Sequence, residues 1–179
     1  MVAFLSSVTA DKGAGHLVAA ARQLWRDGSG LHLVLAGKRF GHFDPVPAGL
    51  TAAESGRLHL LGEITESEKH DLLAAADVVA MPSRTDSFGI VFLEAWLRRK
   101  PVVGSTAWGM SDLIADGVDG SLVPFGDVPA LAATLANLLA RPELRATMGE
   151  RGERTVLAQH TWDQVYARVR PLYEPCASC

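Results

Sequence analysis

Short, almost wholly apolar runs alternate along this chain with longer runs whose apolar residues recur every three or four positions. Val2–Ser7, Leu31–Ala36, Arg57–Leu61, Asp77–Met81, Pro101–Gly104 and Gly120–Val123 are of the first kind and predict strands. Gly37, Gly62 and Pro82 punctuate three of them. Between them, Gly15–Trp25 sets Leu17, Ala20, Ala21 and Leu24 on one helical face. Thr65 and Glu68 have the spacing of a capping box and open a helix carrying Leu72, Leu73 and Ala76. Phe88–Arg98 and the short Met110–Ala115 are predicted helical. Asp127 caps, and Pro129 begins, a helix bearing Leu131, Leu135 and Leu138. Arg141–Gln159 follows, and Thr161 with Gln164 opens a last helix reaching Tyr173. Lys38–Gly49, rich in Gly and Pro, predicts a long loop.

Strands alternating with helices imply βαβ units and a mostly parallel sheet. The strands are apolar throughout rather than alternating, as a sheet covered on both faces requires. The expected fold is therefore α/β: a doubly wound, Rossmann-like sheet formed by 1–179 as one domain. Ligands of such sheets bind beyond the carboxyl ends of the strands, where the strand order reverses.

Length and charge narrow the class. A chain of 179 residues buries enough surface to hold a core without disulfide or metal. Seventeen basic against twenty acidic residues leave a net charge of −3, so a basic nucleic-acid footprint is not expected. No apolar run approaches the length of a membrane span. Membrane association has no support beyond Arg98-Arg99-Lys100, which complements a helix carboxyl end more simply. The sequence opens without a charged leader, and its two cysteines, Cys176 and Cys179, stand in the last four residues. A cytoplasmic chain is the expectation.

Two segments carry candidate chemistry. Pro82–Trp96 runs from a strand end through a polar loop into a helix start near Phe88, where unpaired N–H groups face an incoming anion. Glu94 lies two turns inside an apolar run and needs a partner. It either accepts hydrogen bonds from a diol such as a ribose or pairs with Arg98 four residues on. Lys12-Gly13 follows the first strand, where an ammonium neutralises a diphosphate leaving group or stands as an ordinary surface lysine.

Lys12-Gly13, the Gly37 turn, Leu61-Gly62, Ala75-Ala76-Asp77-Val78 and Pro82-Ser83 occur in one order. Asp86-x-Phe88-Gly89, then Glu94-Ala95, Pro101-Val102-Val103 and Asp116-Gly117-x2-Gly120-x2-Val123-Pro124 continue it. This ordered set resembles the carboxyl-terminal, nucleotide-sugar-binding domain of family-4 (group 1) GT-B glycosyltransferases. The resemblance covers Phe4 to Tyr173. It implies transfer of a sugar from a nucleoside-diphosphate sugar to an acceptor, with retention of anomeric configuration. It implies no cofactor and no metal at the diphosphate; the sequence holds no Asp-x-Asp dyad and no His/Cys cluster of ligand spacing.

The resemblance also assigns roles. Glu94 matches the glutamate on the ribose hydroxyls, and Asp86 the acidic residue on donor-sugar hydroxyls, one methylene shorter than the family's glutamate. Phe88, Gly89 and Ile90 match the helix start facing the donor, and Lys12 with Gly13 matches the lysine on the diphosphate. Lys12 and Asp86 are the catalytic pair. Trp108-Gly109 and Asp112 match a glycine pair and a following acidic residue, with Trp108 in place of a small side chain.

Ser7 stands where the family places a second diphosphate cation, a role Lys38 or Arg39 is positioned to fill. The family's amino-terminal, acceptor-binding domain is expected to be absent, the chain being a fragment, one subunit of a split enzyme or a degenerate domain. The expectation is therefore an incomplete catalyst, whose last helix (161–175) exposes an apolar stripe to that partner. Two rivals remain. One is a nucleotide-sugar-binding module without catalysis. The other is an NADP-type oxidoreductase domain, suggested by Gly13-x-Gly15 and Lys38-Arg39.

Overall fold

The computed structural model describes residues 1–40, 44–45, 49–86, 88–107 and 109–173. Trp108, Cys176 and Cys179 lie outside them. Strand β1 is Val2–Leu5, followed by helix α1 (Ala14–Arg26), β2 (Leu33–Ala36), the short α2 (Ala52–Ser55) and β3 (Leu58–Gly62). Then come α3 (Glu66–Ala75), β4 (Val78–Ala80), α4 (Ile90–Trp96), β5 (Val102–Ser105) and β6 (Gly120–Val123). Three helices close the chain: α5 (Val128–Ala140), α6 (Pro142–Gln159) and α7 (Trp162–Tyr173).

The six strands form one sheet in the order β3-β2-β1-β4-β5-β6, every pairing parallel. All residues of β1, β2, β4 and β5 are buried. Successive side chains point to opposite faces of a strand, so both faces of the sheet are covered over these four central strands, whereas the edge strand β3 is exposed at three of its five positions. Helix α1 packs with α5, and α4 with α6. Trp25 and Trp96 anchor the two ends of the core. Each indole N–H donates to a carbonyl, Leu31 O at 2.7 Å and Asp119 O at 2.8 Å, which removes the cost of burying a donor. The expected doubly wound parallel sheet is thus the observed one.

Helix α6 approaches α4 closely because two of its buried positions lack side chains. A Cβ added at Gly152 would lie 2.0 Å from the Trp96 ring, and Trp96 is fully buried. Gly152→Ala is expected to cost about 1–3 kcal/mol through overpacking, despite alanine's better helix propensity. Thermal unfolding checks this: Tm should fall by roughly 2–4 °C per kcal/mol. An unchanged Tm would show that α6 can move away without loss.

The elements depart from the sequence reading in three places. Residues 109–113 form successive turns rather than a helix. The Asp119 carboxylate captures the Ala115 N–H at 2.9 Å, and burying Met110 and Ile114 needs no further helical turn. Helix α2 was not anticipated, although Thr51 and Glu54 form the same reciprocal capping box as Thr65 and Glu68. It is held by an ion pair from Arg22 Nε to Glu54 Oε1 at 3.1 Å. Helix α4 starts at Ile90 rather than Phe88, after Gly89 in a left-handed cap. In α7 no residue is buried, and Trp162 is 87% and Leu172 73% exposed; its apolar stripe finds no cover among the described residues.

Candidate active site

Strand order reverses between β1 and β4: β1 leads on to β2 and β3, β4 to β5 and β6. The loops leaving the carboxyl ends of β1 and β4 therefore part over a crevice. They are nonetheless tied together at its rim. The Arg84 N–H donates to Asp11 O at 2.7 Å. Gly13, the cap of α1, has φ +76°, and a Cβ there would lie 2.2 Å from Pro82 O. Only glycine fits, both for its backbone conformation and for the space.

This contact brings Lys12 and Asp86 together across the fold. The Lys12 ammonium donates to Asp86 Oδ2 at 3.0 Å and to Thr85 O at 3.3 Å. Both side chains are largely shielded. They stand in a cavity of about 230 Å³ whose walls include Phe88, Gly89 and Ile90, over Leu5 and Met81. Five of the seven sequence-derived site residues thus share one cavity, and Gly13 shapes it from behind.

Glu94 belongs to the neighbouring space. Its Oε1 accepts from the Lys69 ammonium at 2.7 Å, while its Oε2 is buried and has no partner. Arg98 instead directs a guanidinium nitrogen to His70 Nδ1 at 2.8 Å, so the i,i+4 pairing of Glu94 with Arg98 does not form. Lys69 also meets Glu66 at 2.7 Å. Burial opposes the charge on Lys69, but the hydrogen bonds and charges of Glu66 and Glu94 outweigh it and hold its pKa above the usual lysine value. Lys69 lines a larger cavity of about 370 Å³ with Ser7, Gly37, Lys38, Phe40 and Glu63. The two cavities share Leu5, Ser6 and Val91 and so adjoin along the ends of β1, β2 and β4.

Lys69 escaped the sequence reading. Its signal was modest: one of only four lysines, one turn after Glu66 in the helix that the Thr65–Glu68 capping box opens. Of the two cations considered beside Ser7, Lys38 lines the same cavity, its ammonium 5.4 Å from the centre of the Phe40 ring. Arg39 pairs with Asp44 at 3.3 Å. Asp112 is exposed. Among the described residues no three His, Cys, Asp or Glu side chains cluster as metal ligands, and no helix is long and apolar enough to cross a membrane. The Gly13-x-Gly15 dinucleotide reading fails on geometry. Eight residues, from Ser6 to Gly13, separate β1 from α1, where that fingerprint needs a tight turn directly after the strand.

An all-parallel, doubly wound sheet with a cleft over its switch point is the architecture in which ligands bind beyond the strand ends. A family model described as glycosyl transferases group 1 matches residues 1–155, and the chain belongs to that family of enzymes. It is 32% identical over 152 residues to an alpha-D-kanosaminyltransferase of Streptomyces kanamyceticus, covering 84% of this chain and 39% of that one. It is 33% identical over 158 residues to a D-inositol 3-phosphate glycosyltransferase of Segniliparus rotundus, covering 85% and 35%. The chain thus spans well under half the length of these curated relatives. Sucrose-phosphate synthase from Thermosynechococcus elongatus superposes with a TM-score of 0.82 at 25% identity, over 99% of this chain and 45% of that one. HepE of Anabaena in complex with UDP superposes with a TM-score of 0.80 at 25% identity, over 99% and 48%.

Proposed function

We propose that this chain is the donor-binding half of a retaining glycosyltransferase that takes a nucleoside-diphosphate sugar. The observation that carries the reading is the meeting of Lys12 and Asp86 at 3.0 Å, from two loops at the β1/β4 crevice, in a chain of this family. HepE, a structural neighbour, has been solved with UDP and with UDP-glucose, which supports a nucleotide sugar as the ligand class.

The chemistry follows from the placement. Transfer breaks the bond from the anomeric carbon to the diphosphate oxygen and forms one to an acceptor hydroxyl oxygen; the nucleoside diphosphate leaves with extra negative charge and takes up the proton that the acceptor hydroxyl gives up. Lys12 is the cation placed to receive that charge, in a site where a preorganised ammonium needs no reorganisation. When diphosphate arrives, Lys12 exchanges Asp86 for phosphate oxygen and frees the carboxylate to hold sugar hydroxyls. The left-handed Gly89 opens α4 without a side-chain cap, leaving its first amides to face the same anion. Glu94, behind Lys69, is assigned to the ribose. With these cations and amides on the diphosphate, transfer proceeds without a metal.

The acceptor wall of the cleft belongs, in this reading, to a separate amino-terminal domain or subunit, and the exposed stripe of α7 faces it. A second reading, binding without transfer, rests on Ser7, which lacks the charge that the resemblance implies. Calorimetry and turnover separate the two. The chain should bind UDP or another nucleoside diphosphate weakly, and transfer should need the acceptor domain. Lys12→Ala removes a charge-assisted contact of about 1.5–3 kcal/mol, so affinity should fall about tenfold to a hundredfold. Wild-type affinity in Lys12→Ala would remove the assignment, and binding without turnover in the presence of the acceptor domain would favour the second reading.

A further inference from the structure

Lys69 stands at the carboxylate assigned to the ribose. Its ammonium donates to Glu94 Oε1 at 2.7 Å and meets Glu66 Oε2 at 2.7 Å. The two contacts differ in their setting. Glu66 belongs to the same helix, three residues earlier, and its side chain is 80% exposed. Such a pair contributes little. Glu94 comes from α4, and in its pair with Lys69 the side chains are only 25% and 18% exposed. A shielded, charge-assisted bond of this length fixes both partners.

The hold on Glu94 is Lys69's alone. Oε2 has no hydrogen-bond partner, and Arg98 is turned to His70. Lys69 also lines the cavity of about 370 Å³ that adjoins the one holding Lys12 and Asp86, so the bond to Oε1 is made on the side of the cleft. A carboxylate oxygen has more than one lone pair, so Oε1 can keep the ammonium and still accept from a hydroxyl. Burial works against the charge on Lys69, but the hydrogen bonds and charges of Glu66 and Glu94 outweigh it and keep the cation present at neutral pH. A carboxylate pinned before its ligand arrives loses less freedom when it binds, and the saving is gained as affinity.

We propose that Lys69 is the positioning residue for the ribose: it pins Glu94 for the ribose hydroxyls and acts on donor affinity through Glu94, not through the diphosphate. The inference rests on the reading of the cleft as a nucleotide-sugar site.

The test is calorimetry on the 179-residue chain with UDP, or with GDP or ADP where one of these binds tighter, and with the 2′,3′-dideoxy form of the same nucleotide. Wild type should prefer the full nucleotide. Lys69→Met removes the charge and keeps a long side chain; it should weaken the full nucleotide about tenfold and lose most of that preference. Lys69→Gln replaces it if the methionine variant does not fold. Lys69→Arg should recover most of the preference, since a guanidinium restores the charge-assisted bond. Added to Glu94→Ala, Lys69→Met should weaken binding by no more than about a further twofold, as expected of two residues acting as one unit. Glu66→Gln, at the exposed contact, should bind as wild type does.

The proposal falls if Lys69→Met weakens the full and dideoxy nucleotides equally, which would put Lys69 on the diphosphate, or if it weakens neither. It falls too if Glu66→Gln loses the ribose preference, because the effect would then belong to the start of α3 rather than to Glu94. Wild type that binds none of the three nucleotides removes the donor reading and this inference together. Wild type that prefers the ribose, with a Lys69→Met variant that prefers it as strongly, removes this inference alone.

Discussion

Gly13→Val should lower stability by about 2–5 kcal/mol and abolish nucleoside-diphosphate binding in whatever fraction still folds. The magnitude combines two costs. A left-handed backbone costs an L-residue about 1–2 kcal/mol, and the valine Cβ meets Pro82 O at 2.2 Å. That neighbour is backbone and cannot swing aside, so relief requires the loops after β1 and β4 to part, at about 1–3 kcal/mol for a crowded site. Parting them separates Lys12 from Asp86, which is why binding should fail along with stability. Urea unfolding with an unchanged slope, together with UDP calorimetry, measures both effects. A Gly13→Val protein with the wild-type midpoint would show that the loops are not held by this contact, and the explanation of the Lys12–Asp86 approach would go with it.

Glu94→Ala is the second large effect, and it falls on binding rather than on folding. In the free protein Glu94 Oε1 is engaged by Lys69 and Oε2 by nothing. A ribose diol donating to this carboxylate would gain charge-assisted bonds of about 1.5–3 kcal/mol. Their loss should weaken UDP about tenfold to a hundredfold. Lys69 keeps Glu66 at 2.7 Å, so its ammonium is not stranded and the fold should survive. Two controls isolate the cause. Arg98→Ala should leave UDP affinity unchanged, because Arg98 contacts His70. A 2′,3′-dideoxy analogue of UDP should bind wild type and Glu94→Ala alike. A mutant that discriminates against the analogue as strongly as wild type does would place the ribose elsewhere.

Much of this protein was legible from residue order because the relevant forces are local. Apolar runs, three of them closed by Gly or Pro, pointed to β1 to β6, period-3.6 stripes to α1 and α5, and Thr65-x-x-Glu68 to the start of α3 within a residue. The same local logic misled where a distant group intervened. Met110–Ala115 has helical composition, yet Asp119 takes the Ala115 N–H. Thr51-x-x-Glu54 was passed over because only four helical residues follow, too few to show a period.

The sequence by itself determined the fold class, the order of elements and the residue types available at each strand end, since these depend on propensity, capping and which side chains avoid water. Only the tertiary structure decided who meets whom. Lys12 finds Asp86 because the parallel crossovers set β1 beside β4, whose first residue is 76 positions after that of β1. Glu94 meets Lys69 rather than Arg98 because the fold brings the Lys69 ammonium to 2.7 Å from its carboxylate, while Arg98 turns to His70. Arg84 and His16 both meet the Phe125 ring, and the three come from the loop after β4, the first turn of α1 and the loop after β6, with no shared motif. Their meeting is a property of the strand order, which the linear pattern of apolar residues leaves open among several topologies and which the packing of both sheet faces closes to one.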